Sequence, residues 1–504
     1  MKKYIAILAL AAASGFYSCQ DDLDDIKVPD SLKINDFVWK GLNLYYYWQA
    51  DVSNLSDARF SNQSELNSFL KDFSSPENLF SSLLYDYPNT DRFSVIYSDY
   101  SVLEGVLNGV TANNGVDYQL VRKSAGSDEI IGWVRYIIPN SDASSKDIRR
   151  GDIFYAVGGT PLTVSNYHSL LASSTYTLNM ADYDNGNFTP NGESVSLTKT
   201  QLTENPILAT QVFNYGAHKI GYLLYNGFYS EYDTQLNAVF GQFQSQGVTD
   251  LVLDLRYNSG GSVQTAAYLA SMITGQFNSQ IFAKQQWNSK VEAYFSENNP
   301  ENLINRFDNT IGNTPVNSLN LSKVYVLTSR SSASASELVI NGLKPYINVV
   351  QIGDRTTGKN VGSITLYDSP TFSRNGRSSE HKYAMQPICF KIINAAGFGE
   401  YQNGLAPAVP LIENLGNLGV LGNAGEPLLN AAISQITGSG RMQMPDPAKA
   451  YESIRDRKSM QRMGDEMYLD EIPFEALNIK FYETNNKKAF KRKPCHLNKE
   501  LFNH

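Results

Sequence analysis

Cysteine and histidine are scarce, three and five in 504 residues. There is no CxxC pair and no HExxH string. A zinc finger, a disulfide scaffold and a metallopeptidase of that type are therefore excluded. A basic excess is also missing. Lys plus Arg number 42 against 50 Asp plus Glu, a net charge of −8. That argues against nucleic acid as a partner, because its footprint would be a basic face. Nowhere does an apolar run reach the ~18 residues needed to span a bilayer. What is present is bulk. With 42% hydrophobic residues the chain can bury a sizeable core, and its length suggests two to four domains at ~150 residues each.

The first residues read as an address. Lys2 and Lys3 precede an apolar stretch, Tyr4 to Ala13, long enough for a signal peptide over 1–18 and too short to cross a membrane. Cys19 follows Ser18 directly. That ending resembles a bacterial lipoprotein signal, which implies a lipidated Cys19, a membrane partner through that lipid, and a place in the cell envelope at the outer membrane. Residues 19–34 open with the acidic run Gln20 to Asp25, an extended, solvated tether. Cys389 and Cys495 remain, and their pairing cannot be read from spacing.

Residues 35–98 suggest a small helical domain. Asp36 to Trp48 is apolar on most of a helix, and Leu66, Phe69, Leu70 and Phe73 recur at helical spacing. From 99 to 204 short strands and turns take over, with Ile130 to Pro139 as a strand and Arg149 to Thr160 as a turn, strand and hairpin. The order Asn140–Ala143, Gly151–Ile153, Val157–Gly159 resembles a PDZ domain. The resemblance implies a sheet edge that takes a peptide strand and a backbone nest for its carboxylate, near Gly115, Val116 and Asp117. From 205 to 438, apolar runs at Ile220–Tyr225, Leu251–Arg256, Val324–Thr328 and Val349–Ile352 alternate with helical patterns, which reads as α/β with a buried, largely parallel sheet. Residues 439–504 differ in composition and read as a C-terminal extension. Their basic end, Lys487 to Lys499, reads as a solvated tail.

Two strand-to-helix turns carry chemistry, because unpaired N–H groups there can stabilise an anion. The first is Asp254-Leu255-Arg256-Tyr257-Asn258-Ser259-Gly260-Gly261, whose paired glycines let a ligand approach the backbone. The second is Ser331-Ser332-Ala333-Ser334-Ala335-Ser336-Glu337. Ser334 and Glu337 form a capping box, a structural role that does not prevent Ser334 from acting as a nucleophile if a base is near. Histidine is in no triad-like context, which favours a lysine base. Lys359 ends the string Gly353 to Lys359, a GxxxxGK pattern. Asn360 replaces the Ser/Thr that would hold Mg²⁺, and a strand-like run follows, so nucleotide binding is rejected.

Together the DLRxNxGG string at 254–261, SASASE at 332–337 and TxGK at 356–359 resemble the C-terminal processing (tail-specific) serine peptidases. The resemblance covers roughly residues 35–435. It implies a multidomain α/β protein with a helical N-terminal domain, a PDZ-like domain and a crotonase-like (ClpP/crotonase) core. It implies Ser334 as nucleophile, Lys359 as base, and Ala335 with Gly260 or Gly261 as oxyanion donors. Protein or peptide substrates and no metal or cofactor follow from the same likeness. The family usually has Gln four places after the Lys, where this chain has Ser363. Either Ser363 orients Lys359 directly in place of that Gln, or a water or another residue does. The alternative is a weak or inactive peptide-binding lipoprotein on the same scaffold.

Overall fold

The computed structural model describes residues 27–438 and 451–471. The signal peptide, Cys19, the acidic run, the basic run 487–499 and Cys495 lie outside the described residues.

The first apolar stretch forms the helix Lys33–Tyr45, which buries Phe37, Val38, Trp39 and Leu42. Two shorter helices pack nearby, Gln63–Leu70 and Pro76–Ser82. Asn62 and Ser75 cap them by accepting from the third amide onward. The aromatic residues of this region join the same apolar core as the peptidase-like sheet.

The PDZ-like region is an antiparallel sheet ordered Ser453–Asp456, Val116–Arg122, Ile130–Ile137, Ile153–Val157, Thr175–Asp184, Asn187–Thr198. Its core is separate, with Val116, Leu120, Val134, Phe154 and Leu178 at the centre. The sequence boundary at 99 shifts. The helix Tyr100–Leu107 packs Leu103 against Tyr367 and Ala384 rather than into this sheet.

The central sheet runs Ile207–Tyr215, His218–Tyr225, Asp250–Asp254, Lys323–Thr328, Asn348–Gly353, Val409–Pro410. All neighbours after the first pair are parallel. Side chains alternate between faces along each strand. Ile220, Tyr222 and Leu224 meet the helix Pro427–Thr437, while Leu223, Tyr225, Leu251 and Leu253 meet the helices Asp233–Ser245 and Val263–Thr274. Both faces are covered, which is why these strands read as continuous apolar runs rather than alternating ones.

One expectation needs correcting. Part of the C-terminal extension is woven into the body. Ser453–Asp456 completes the edge of the PDZ-like sheet. Met467–Tyr468 lies between Gly261–Ser262 and Val361–Ser363, parallel to both. Four charged residues of this segment, Asp456, Arg457, Lys458 and Glu466, are buried, and composition gave no periodic apolar signal for such a role. Among the described residues no helix is long and apolar enough to cross a membrane.

Candidate active site

The strand Asp250–Asp254 delivers the glycine turn to the end of the sheet. Asp254 and Arg256 serve the scaffold. Both are fully buried. The Arg256 guanidinium donates from Nε to Asp254 at 3.0 Å and from Nη1 and Nη2 to Glu426 at 2.6 and 2.9 Å. Asn258 does the joining. Its Oδ1 accepts from Gly260 N at 2.9 Å, and its carbonyl accepts from Ala333 N at 3.1 Å and Ser336 Oγ at 3.0 Å. The glycine turn and the serine turn are thereby one unit. Gly260 has φ +114°, and a Cβ there would stand 2.6 Å from Ser334 Cβ. Only glycine lets the two turns close to this distance.

Ser334 precedes the helix Ala335–Leu343 with φ 63° and ψ −115°. A non-glycine residue in that region costs on the order of 1–3 kcal/mol. Flanking hydrogen bonds hold it there. Ser334 N donates to the Glu337 carboxylate at 2.8 Å, and its carbonyl accepts from Leu338 N at 2.8 Å. The Ser334 hydroxyl is buried with no hydrogen-bond partner. Ala335 is the first helical residue, so its N–H has no acceptor within the helix.

Glu337 does more than cap. Its carboxylate accepts from Ser334 N and Lys359 N on Oε2, each at 2.8 Å, and from Thr356 Oγ1 at 2.5 Å and Gly358 N at 2.7 Å on Oε1. It clamps the serine turn to the lysine loop. Burial pushes its carboxyl above the ordinary value, against the pull of those four donors. Glu337→Gln would turn an NH₂ toward at least one backbone N–H. We expect it to cost about 1–3 kcal/mol of stability and to lower kcat, read by thermal melting and peptide turnover. Unchanged melting and turnover would show that the clamp is dispensable.

Lys359 is fully buried. Its Nζ lies 4.3 Å from the centre of the Phe93 ring and donates to Glu466 Oε2 at 3.1 Å. The neighbouring Arg92 Nη2 donates to Gly358 O at 2.9 Å, so the N-terminal domain props the loop.

The structure thus brings Ser334, Ala335, Gly260 and Gly261 together and sets Lys359 on the loop beside them. Lys359 makes no hydrogen bond to Ser334, whose Oγ is unpartnered. Both expected glycine donors are engaged, Gly260 N by Asn258 and Gly261 N by the Glu466 carbonyl at 2.5 Å. Ser363 departs from expectation. It does not contact Lys359 directly but donates to Glu466 Oε2 and accepts from Gln386 Nε2, each at 3.0 Å. A hydroxyl on a short side chain reaches the lysine only through the intervening carboxylate. The expected carboxylate nest is also not open. Gly115 N and Val116 N donate to the Asn113 and Asn114 side chains, and Asp117 is ion-paired with Arg135 and Arg457. Sequence reasoning missed Asn258, although it lies inside the glycine motif. It read Glu337 only as a cap, and missed Glu466 altogether. Among the described residues, His218 pairs with Asp250 and His381 with Asp368.

Fold and site together define a multidomain α/β peptidase scaffold. Residues 219–369 match the model of peptidase family S41, and residues 33–95 match that of the S41 N-terminal domain. The chain belongs to peptidase family S41. A crystal structure assigned as an S41 protease from Bacteroides fragilis superposes with a TM-score of 0.62 at 26% identity, covering 80% of this chain and 98% of that one. The chloroplastic C-terminal processing peptidase of Tetradesmus obliquus is 26% identical over 44% of this chain and 47% of its own length. A carboxyl-terminal-processing protease of Picosynechococcus is 25% identical over 33% of this chain and 36% of its own length. The matches therefore span at most about half of those curated relatives.

Proposed function

We propose that this protein is a serine endopeptidase working through a Ser334–Lys359 dyad on extended polypeptide substrates. The observation that carries the reading is the Ser334 geometry. A buried, unpartnered hydroxyl is held at positive φ at a helix N-terminus, against a glycine turn, with a lysine loop clamped beside it by Glu337. Neutral Lys359, once its Nζ turns from Glu466 to Ser334, takes the hydroxyl proton as Oγ attacks the peptide carbonyl. The oxyanion is met by Ala335 N–H and, once the Glu466 carbonyl has withdrawn from it, by Gly261 N–H, each donor worth roughly 3 kcal/mol. Collapse of the intermediate breaks the C–N bond, and the leaving amine takes the proton back from Lys359. Water, deprotonated by the same lysine, then releases the acyl group and regenerates Ser334. A fluorophosphonate probe should label the wild type and not Ser334→Ala. An unlabelled wild type with its site exposed would refute this reading.

Localisation at the envelope is part of the same proposal. It rests on Cys19 behind a signal-like segment and before an acidic run. Two acyl chains suffice for stable anchoring. Labelled palmitate should mark the protein in bacterial cells, and Cys19→Ala should move it to the soluble fraction. An unlabelled, soluble wild type would end the idea.

A further inference from the structure

Ser334 and Lys359 are fully buried, and residues 451–471 of the chain itself help to cover them. The segment engages two places. Ser453–Asp456 adds antiparallel to the edge of Val116–Arg122, the manner in which β-augmentation holds an extended ligand. Met467–Tyr468 then enters between Gly261–Ser262 and Val361–Ser363. There its contacts are those of a bound peptide. The Glu466 carbonyl takes the Gly261 N–H at 2.5 Å, and its carboxylate takes Lys359 Nζ at 3.1 Å. While Lys359 Nζ is turned to Glu466, it makes no hydrogen bond to Ser334 Oγ. Beside the glycines a cavity of about 40 Å³ remains, walled by Ser259, Gly260, Arg457, Gly464 and Glu466.

The segment is seated by apolar and charged contacts together: Met463, Met467 and Tyr468 are buried, and Ile454, Met460 and Leu469 pack against the cores. Arg457 pairs with Asp117 at 3.1 Å and with Glu204 at 3.2 Å, and Lys458 with Glu204 at 3.4 Å. Asp456 faces Arg135 at 3.3 Å. Buried ion pairs return little net stability after desolvation, so this charged part of the seating adds little to holding the segment in place. Resting on the serine-peptidase reading above, we propose that residues 451–471 are an intramolecular, substrate-like occupant. They keep the enzyme latent until an extended polypeptide displaces them.

A reversible lock tests this in the full chain. Val121 and Ser453 are register partners. Arg122 N donates to Glu452 O at 2.9 Å in the adjacent pair, so 121 and 453 form a non-hydrogen-bonded pair with Cα atoms about 4.5 Å apart, within disulfide range. The double variant Val121→Cys, Ser453→Cys touches neither Ser334 nor Lys359. Fluorophosphonate labelling and β-casein cleavage would be measured oxidised and reduced, with the wild type under both conditions as control. Locking the occupied state should slow both on the order of tenfold or more, with recovery on reduction. Equal rates in the two states would overturn the proposal. Glu466→Ala should label faster than the wild type, and slower labelling would make Glu466 a positioning residue for Lys359 and overturn latency. Hydrogen exchange of 451–471 in the wild type gives an independent readout. Protection should fall when β-casein is added at saturation, and unchanged protection would overturn displacement. If protection falls but no form labels, the occupant stands and the serine-peptidase reading fails.

Discussion

Ser334→Ala is expected to abolish hydrolysis of an unstructured protein such as β-casein, with a loss of roughly 10³-fold or more in kcat. The change should barely alter melting, because Ser334 Oγ makes no hydrogen bond to lose. Lys359→Ala should lose as much activity, since nucleophile and base act as a unit and their effects do not add. Its stability will differ. Removing Lys359 leaves Glu466 buried without its cation, and breaking a buried pair costs about 3–5 kcal/mol. Ser332→Ala and Ser336→Ala should lose much less activity, since their hydroxyls donate to Leu255 O and Asn258 O, scaffold contacts of the two turns. Wild-type turnover by Ser334→Ala would place the nucleophile elsewhere.

The second large effect is expected from Gly260→Ala. The new methyl would stand 2.4 Å from Glu466 O, 2.6 Å from Ser334 Cβ and 2.9 Å from Ser334 Oγ. None of these is the far end of a flexible side chain. The backbone at φ +114° is itself costly for alanine, on the order of 1–3 kcal/mol. Something must move, and the nucleophile is the next neighbour after the Glu466 carbonyl. A displacement of about 1 Å at a reacting atom can cost ~10²-fold in rate. The variant should therefore melt lower and turn over substrate far more slowly. Purified Gly260→Ala with wild-type melting and kcat would mean that the two turns tolerate separation.

These effects bear on how the site was legible. Short motifs announced the glycine turn, the serine turn and the lysine loop, because each needs residue types that few other structures need. Paired glycines mark close approach, and small residues mark a crowded turn. Asn258 was in plain view between them, yet its function is visible only when Ala333 and Ser336 fold onto its carbonyl. Ser363 was singled out because family members carry glutamine there. In the folded chain the amide that reaches this point comes from Gln386, 23 positions along, on another strand.

The features legible in the linear chain are local. Apolar spacing marked helices, unbroken apolar runs marked parallel strands, and short motifs marked the turns that carry Ser334, Lys359 and the two glycines. Those features rest on backbone geometry and on residue types within a few positions of one another. Tertiary structure decided the rest. Glu337 became a clamp because the lysine loop closed over it. Residues 451–471 left the expected extension and entered the site, with Glu466 meeting a lysine 107 positions away. No periodicity marks such a segment. Its ion pairs, single backbone hydrogen bonds and isolated apolar contacts, those of Met463 and Met467 among them, reach partners far apart in the chain, and these leave no pattern in a linear sequence.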